Sequence, residues 1–383
     1  MYRSHKIRLY PTTKQSIYFI KAAGCSRLAY NWCLFKWKYI YNSGGSPSIY
    51  ALKKQFNSIK AIEFPFVYEV TKTACEGAFR NLNKAFNNFF NGTAKYPKFK
   101  KKGIHDSFYM SNDVFKLGNK YIIIPKLGKV RMAESLRFKG KILSATVSRT
   151  ADLWFVSISM KIPDIVGCDK NQAHPAIGID LGLNKLATLS DGTVFENHRT
   201  TKQHENRLRM LNKSLSRKKI GSNNYNKAKT KLARAHYKIM CIRQDALHKM
   251  TTCIANNYSD IYIEDLNNIG LLKNRRLSKS LSDASFGEIR RQLEYKSDKV
   301  CTVDRFFPST KLCMNCGTLH DMPLNKRTFK CDCNNIEIDR DIHAAQNILR
   351  QGLSFKPVES EALVHKHSLM NETTDCEAGS LGG

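Results

Sequence analysis

Ile177-Gly178-Ile179-Asp180-Leu181-Gly182 sets one acid inside an apolar run. A short apolar stretch of this kind, Ala176–Leu181, reads as a buried strand. Ser190-Asp191-Gly192 then supplies the turn of a hairpin. An ionised carboxylate on a buried strand costs several kcal/mol, about what a counter-charge or a metal must offset. Ile261-Tyr262-Ile263-Glu264-Asp265 repeats the pattern at the end of a second strand expected over Ser259–Glu264. Asp339-Arg340-Asp341 precedes Ala344, Ala345 and Ile348, at the start of a helix expected over Asp339–Leu349. If the two strands pair side by side and the helix packs across them, these distant acids converge.

Oxygen ligands gathered at one point suit magnesium, or manganese in its place. Two such ions roughly 4 Å apart stabilise the attacking and departing oxygens of an in-line phosphoryl displacement. Asp339 also suits a helix cap, and Asp265 reads equally well as a solvated neighbour of Glu264. The first motif taken alone is shared with sugar-kinase and actin-like ATPases, where the acid serves ATP. No further glycine-rich phosphate loop follows Gly182.

The chain has 383 residues and 12 cysteines. Four of the cysteines cluster: Cys313-Met314-Asn315-Cys316, then Cys331-Asp332-Cys333 after an insert carrying Lys326, Arg327 and Lys330. Four thiolates at this spacing suit one tetrahedral, structural zinc. The second half is C-x-C and so tighter than the usual C-x2-C, and His320 is a spare ligand candidate. The remaining cysteines are scattered and read as buried thiols, since disulfides are rare in intracellular chains.

The formal net charge is +31, from 63 Lys and Arg against 32 Asp and Glu. Such an excess repels itself and points to a polyanionic partner. Basic residues interleave with aromatics along the chain, which favours nucleic acid over membrane. No apolar run approaches the roughly 20 residues of a membrane span. The N-terminus lacks a signal-peptide core, so a cytoplasmic location is expected.

The first half reads as a strand over His5–Tyr10, a helix opened by Pro11 and Thr12, a second helix over Ser26–Asn42, and a third over Val67–Phe90. Asn42–Ser46 is a loop. Strands over Tyr121–Ile124, Lys129–Met132, Leu143–Ser148 and Trp154–Met160 suggest a small antiparallel sheet or barrel. Pro163–Pro175 is a polar linker. Beyond the first acid, helices are expected over Lys202–Lys218, Asn224–Asn256 and Asp283–Lys299, with a strand over Cys301–Asp304. The expected class is a mixed α/β and β multi-domain chain, ending in a disordered polar tail.

Taken together the motifs resemble one family, the transposon-encoded TnpB (OrfB) proteins, related to the compact type V CRISPR effectors. The likeness is carried by Gly178–Gly192 (GIDLGLNKLATLSDG), Ile261–Gly270 (IYIEDLNNIG), Pro308–Gly317 (PSTKLCMNCG) and Asp339–Leu349 (DRDIHAAQNIL). Ile7–Gln15, Cys25–Trp32 and Tyr96–Lys102 are similar to the family's opening region. The resemblance implies an RNase H-like (RuvC) nuclease with Asp180, Glu264 and Asp341 as its acids, two magnesium ions and a structural zinc. It implies a guide RNA from the transposon end, a double-stranded DNA target cut beside a short motif, and a monomeric ribonucleoprotein. The expected domains are a recognition lobe over 1–165, the nuclease over 166–308, a zinc insert over 309–338, the last nuclease helix over 339–350 and the tail over 351–383. The runner-up reading is a non-cleaving repressor or accessory factor of transposition.

His343 departs from the family pattern, which has Asn two residues after the last acid, at a position expected to neighbour the metal. Arg27, Lys72, Arg80, Ser111 and Asn112 are candidates for contacts near the DNA motif. Lys98, Lys100, Lys101 and Lys102 are candidates for phosphate, with Tyr96 or Phe99 for stacking. Arg243 and His248 are further candidates for RNA. For each of these, a solvated or packing role is the alternative.

Overall fold

The computed structural model describes residues 2–163, 175–323 and 325–354. The linker and tail expected from the sequence fall mainly outside these residues, as do Cys168 and Cys376. The chain divides into two compact units that interleave in sequence: Met1–Cys168 with Leu211–Tyr237, and Asp169–Met210 with Lys238–Gly383. Among the described residues, no helix is long and apolar enough to cross a membrane.

The first unit opens with β1 (Tyr2–Tyr10), whose alternation buries His5, Ile7 and Leu9. The helix α1 (Thr13–Asn42) follows, started by a capping box in which Thr12 and Gln15 satisfy each other's backbone N–H groups. Two separate helices were expected here, but α1 runs unbroken. Ser26, the first residue of the second expected helix, is a buried residue within it. The helix α2 (Ile49–Glu63), absent from the sequence reading, packs through Leu52 and Phe56. The helix α3 (Thr73–Phe90) begins later than expected, because Pro65–Glu69 forms a separate 3-10 turn and Val70 is extended.

Six strands follow: β2 (Ser107–Ser111), β3 (Lys116–Gly118), β4 (Tyr121–Ile124), β5 (Gly128–Met132), β6 (Lys141–Thr150) and β7 (Leu153–Lys161). With β1 they form an antiparallel sheet in the order β2-β6-β7-β1-β5-β4-β3. It has two ends: no ladder joins β2 to β3 among the described residues. Phe19 of α1 meets Phe108 and Trp154, with ring centroids 5.8 and 5.1 Å apart, and anchors the helix to the sheet. A second cluster joins Leu34, Leu52, Phe56, Leu82 and Phe86 across the three helices.

The second unit is built on β8 (Ile177–Leu181), β9 (Lys185–Leu189), β10 (Val194–Glu196), β11 (Asp260–Glu264) and β12 (Lys299–Val303), ordered β10-β9-β8-β11-β12. β8, β9 and β10 are successive antiparallel neighbours, whereas β8, β11 and β12 are parallel. Parallel neighbours need a long crossover. Between β10 and β11 run α4 (Thr200–Gln203), α5 (Glu205–Ser216) and α6 (Asn223–Asn257). Both α5 and α6 contribute residues to both units. Between β11 and β12 run α7 (Asn268–Leu272), α8 (Ser278–Ala284) and α9 (Phe286–Lys296). The helix expected over Asp283–Lys299 is α9, which starts later because Ser285, with φ of 57°, separates it from α8.

The hairpin of β13 (Thr328–Cys331) and β14 (Ile336–Asp339) leads into α10 (Arg340–Ser354), which outlasts the expected helix end. α10 lies close against β8 and β11, and two glycines permit this. A Cβ on Gly178 would sit 2.1 Å from the Ala345 carbonyl oxygen, and one on Gly352 would sit 2.0 Å from the Tyr262 ring.

Candidate active site and cysteine cluster

The parallel register pairs Ile177 with Ile261 and Ile179 with Ile263. Asp180 and Glu264 each stand one residue beyond the last pair, so they emerge level on adjacent strands. α10 crosses β8 and carries Asp341 in its first turn. Asp180 senses the other two acids. Burial, then the charges of Glu264 and Asp341, push the Asp180 carboxyl up to about 7, against an opposing pull from Arg340. Burial also raises Glu264, opposed by a hydrogen bond from the Ser309 hydroxyl. Like charges gathered with so little solvation make a site whose ionised form wants a cation.

Asp339 takes the capping role: its Oδ1 accepts from the N–H groups of Asp341 at 2.9 Å and Ile342 at 3.3 Å. Burial would raise its carboxyl, but Lys185 and these two N–H groups prevail and hold it below the usual range. Lys185 Nζ lies 3.1 Å from Asp339 and 4.0 Å from Asp341. Asp265 is paired with Arg290 at 2.9 Å and with Arg305, which places it in a surface ion-pair network. Lys185 and Ser309 were not singled out in the sequence. They meet acids 154 and 45 residues away, and no local pattern marks such contacts.

Cys313, Cys316, Cys331 and Cys333 form the one group of metal-ligating side chains, among the described residues, whose ligand atoms all lie within 4.8 Å of one another. Sulfur separations of 3.6 Å (Cys313–Cys333 and Cys316–Cys331) and 3.3 Å (Cys331–Cys333) come near the roughly 3.8 Å edge of a tetrahedral zinc–thiolate site. The C-x-C half therefore delivers both sulfurs. Gly317, with φ of 72°, closes the first knuckle, its N–H donating to the Cys313 carbonyl. Thr318 holds the Cys316 thiol down to about 6.

His320 lies outside the group, edge-on to Phe329. His343 is turned into the cysteine insert, its ring stacked on Phe329 at 3.7 Å. Burial and the nearby Arg350 pull its pKa down to about 4. The expectation that His343 neighbours the metal is corrected accordingly: an imidazole here packs as a flat, neutral ring.

In the first unit, Arg27 is 3.2 Å from the half-buried Asp106. Arg80 donates to the Tyr109 hydroxyl at 3.0 Å and lies over the same ring. Lys72 is exposed, 3.9 Å from Asp113; Ser111 donates to Asp113, and Asn112 is exposed. Lys100 is partly buried over Tyr30 and its backbone is clamped by Asn31, whereas Lys98, Lys101 and Lys102 are exposed. Tyr96 sits edge-on to Phe86 and Phe89, and Lys38 lies near both Tyr96 and Phe99. In the second unit Arg243 bonds Ser282 and Asp283, and His248 is exposed.

Residues 157–275 match the OrfB family model described as "Probable transposase". Residues 1–46 match the family's "Helix-turn-helix domain", although they fold here as β1 and one long helix. Residues 286–348 match a "Cas12f1-like, TNB domain". A Streptomyces pristinaespiralis protein named "Putative RNA-guided DNA endonuclease" is 33% identical over 98% of both chains. The chain belongs to the TnpB (OrfB) family. A second relative of the TnpB-family chain, "Putative RNA-guided DNA endonuclease InsQ" of Escherichia coli K12, is 31% identical over 91% of this chain and 92% of its own. The TnpB-family fold is also similar to the protein in a Cas12f1-sgRNA-target DNA complex. There the TM-score is 0.55 at 16% identity, covering 88% of this chain and 83% of that one.

Proposed function

We propose that this TnpB-family chain is a transposon-encoded, RNA-guided DNA endonuclease of the RNase H-like (RuvC) type. The carrying observation is that two level strand ends and one helix start gather Asp180, Glu264 and Asp341 closely enough for Asp180 to feel the other two charges. The names of the relatives support the same reading.

Two magnesium ions, when bound, supply positive charge to the attacking and departing oxygens of an in-line phosphodiester hydrolysis. Asp180, Glu264 and Asp341 would hold them. Asp180 must lose its proton to do so, and cation binding favours that loss. Ser309 orients Glu264, while Lys185 and the cap by Asp339 fix the first turn of α10 that carries Asp341. The four cysteines hold a structural zinc, and the first unit serves as the recognition lobe. There Lys72, Arg80, Ser111 and Asn112 are proposed to lie beside the target-adjacent motif, and Lys98, Lys101 and Lys102 to meet phosphates. The protein works in the cytoplasm as a monomeric ribonucleoprotein with guide RNA and double-stranded target DNA.

Purified wild type with its guide RNA should cut matched DNA in magnesium. Asp180→Ala and Glu264→Ala should cut at least about 100-fold more slowly while still binding guide and target. Cleavage by Asp180→Ala at the wild-type rate would refute the acid assignment. Wild type that binds both nucleic acids yet leaves no breaks with magnesium or manganese would favour the non-cleaving repressor or accessory role.

A further inference from the structure

We propose that Ser309 is a positioning residue through which the cysteine insert orients Glu264 for its divalent ions. This rests on reading Asp180, Glu264 and Asp341 as a cation site.

Ser309 lies four residues before Cys313, on the segment that leads into the first cysteine knuckle. That segment is a tight turn: the N–H groups of Lys311 and Leu312 both donate to the Pro308 carbonyl, at 2.9 and 3.0 Å. The Ser309 side chain is buried, with 6% of the residue exposed, and donates to Glu264 Oε1. Oε2 of Glu264 accepts no hydrogen bond among the described residues, which leaves that oxygen for a cation. The Ser309 backbone is fixed as well. Asn347, 1% exposed on α10, donates from Nδ2 to the Ser309 carbonyl at 2.6 Å and to the Leu312 carbonyl at 2.8 Å.

One short segment therefore touches both β11, through Glu264, and α10, which carries Asp341. The His343–Phe329 stack is a second contact between the cysteine insert and α10, and Phe329 stands two residues before Cys331. A glutamate has several rotatable bonds, and a hydroxyl on one oxygen removes most of the alternatives before a cation arrives. Groups that hydrogen-bond a metal ligand in this way commonly set metal affinity by about 10–100-fold. A serine that merely filled space would do none of this.

The test uses the full-length, zinc-loaded protein free of RNA, with Mn2+ affinity measured by titration calorimetry. Ser309→Ala should keep one zinc per chain and unfold cooperatively, yet bind Mn2+ about 10-fold more weakly. Ser309→Thr, which retains the hydroxyl, should return the affinity to near wild type. Unchanged Mn2+ affinity in Ser309→Ala, or equal losses in the Ala and Thr variants, would overturn the proposal. Asp180→Asn is the separate control: if it leaves wild-type Mn2+ binding intact, the acidic site itself is misread and the proposal falls with it.

Discussion

Ionised, Asp180 costs the folded protein stability unless a cation offsets its charge. Its carboxyl is raised from 3.8 to about 7, so the native state binds that proton more tightly than the unfolded chain does. The linkage sign follows: the favourable contribution is complete below about pH 4 and disappears as pH climbs toward 7. In magnesium-free buffer, Asp180→Asn should therefore be more stable than wild type at pH 8, by up to about 4 kcal/mol, and melt higher. The two should converge near pH 4, and added magnesium should stabilise the wild type selectively. Thermal melts at both pH values check this; a variant that melts no higher at pH 8 would refute it. Asp180 and Glu264 were legible in the sequence because an acid in an apolar alternation is anomalous on local grounds. Asp339 was expected to suit a helix cap, and it takes that role, accepting from two backbone N–H groups at the start of α10. Ser309, Lys185 and Asn347 were illegible for a different reason: a serine, a lysine and an asparagine are unremarked until a distant partner gives them work.

At the level of elements, the approach of α10 to β8 brings the third acid to the first two. Gly178 sets the closeness, since an added Cβ would meet the Ala345 carbonyl at 2.1 Å and the Leu349 amide at 2.7 Å. Both are backbone atoms that no rotamer change can move aside. Gly178→Ala should thus push α10 outward, costing about 1–3 kcal/mol and lowering cleavage further through displacement of Asp341. A variant that melts and cuts as wild type would show that the helix is not held there. β8 and β11 match the sequence expectation to within a residue, because buried parallel strands are short continuous apolar runs, whereas β12 starts two residues earlier than expected and β9 and β10 were foreseen only as a hairpin. Helix boundaries fared worse where signals conflict. Ser26, where the second helix was expected to start, is buried within the single helix α1. α2 shows only Leu52 and Phe56 as fully buried apolar residues, too few for a visible stripe. Ser285 breaks a pattern that otherwise runs on, by a left-handed φ that serine does not advertise.

For the whole molecule, the net charge of +31 is not spread as one uniform kind of cation. Some basic groups are already committed within the fold: Arg27 to Asp106, Arg234 to Asp152, Arg290 and Arg305 to Asp265. Others, such as Lys98, Lys101 and Lys102, are exposed. Counterion release makes these two kinds separable. A protein that neutralises several phosphates should lose roughly 10³-fold or more in affinity between 50 and 200 mM salt. Each phosphate-contacting lysine removed should flatten the log–log slope by about one. Replacing Lys98, Lys101 and Lys102 together by Ala should therefore weaken guide-RNA binding and reduce the slope by about two to three, with little change in melting temperature. Arg27→Ala should do the reverse, lowering the melting temperature by leaving the half-buried Asp106 without its ion-pair partner while the slope stays near wild type. Filter binding over a potassium chloride series, alongside thermal melts, reads both quantities. An unchanged slope in the triple variant would remove that basic segment from the nucleic-acid surface, and the charge would have to act through other faces of the molecule.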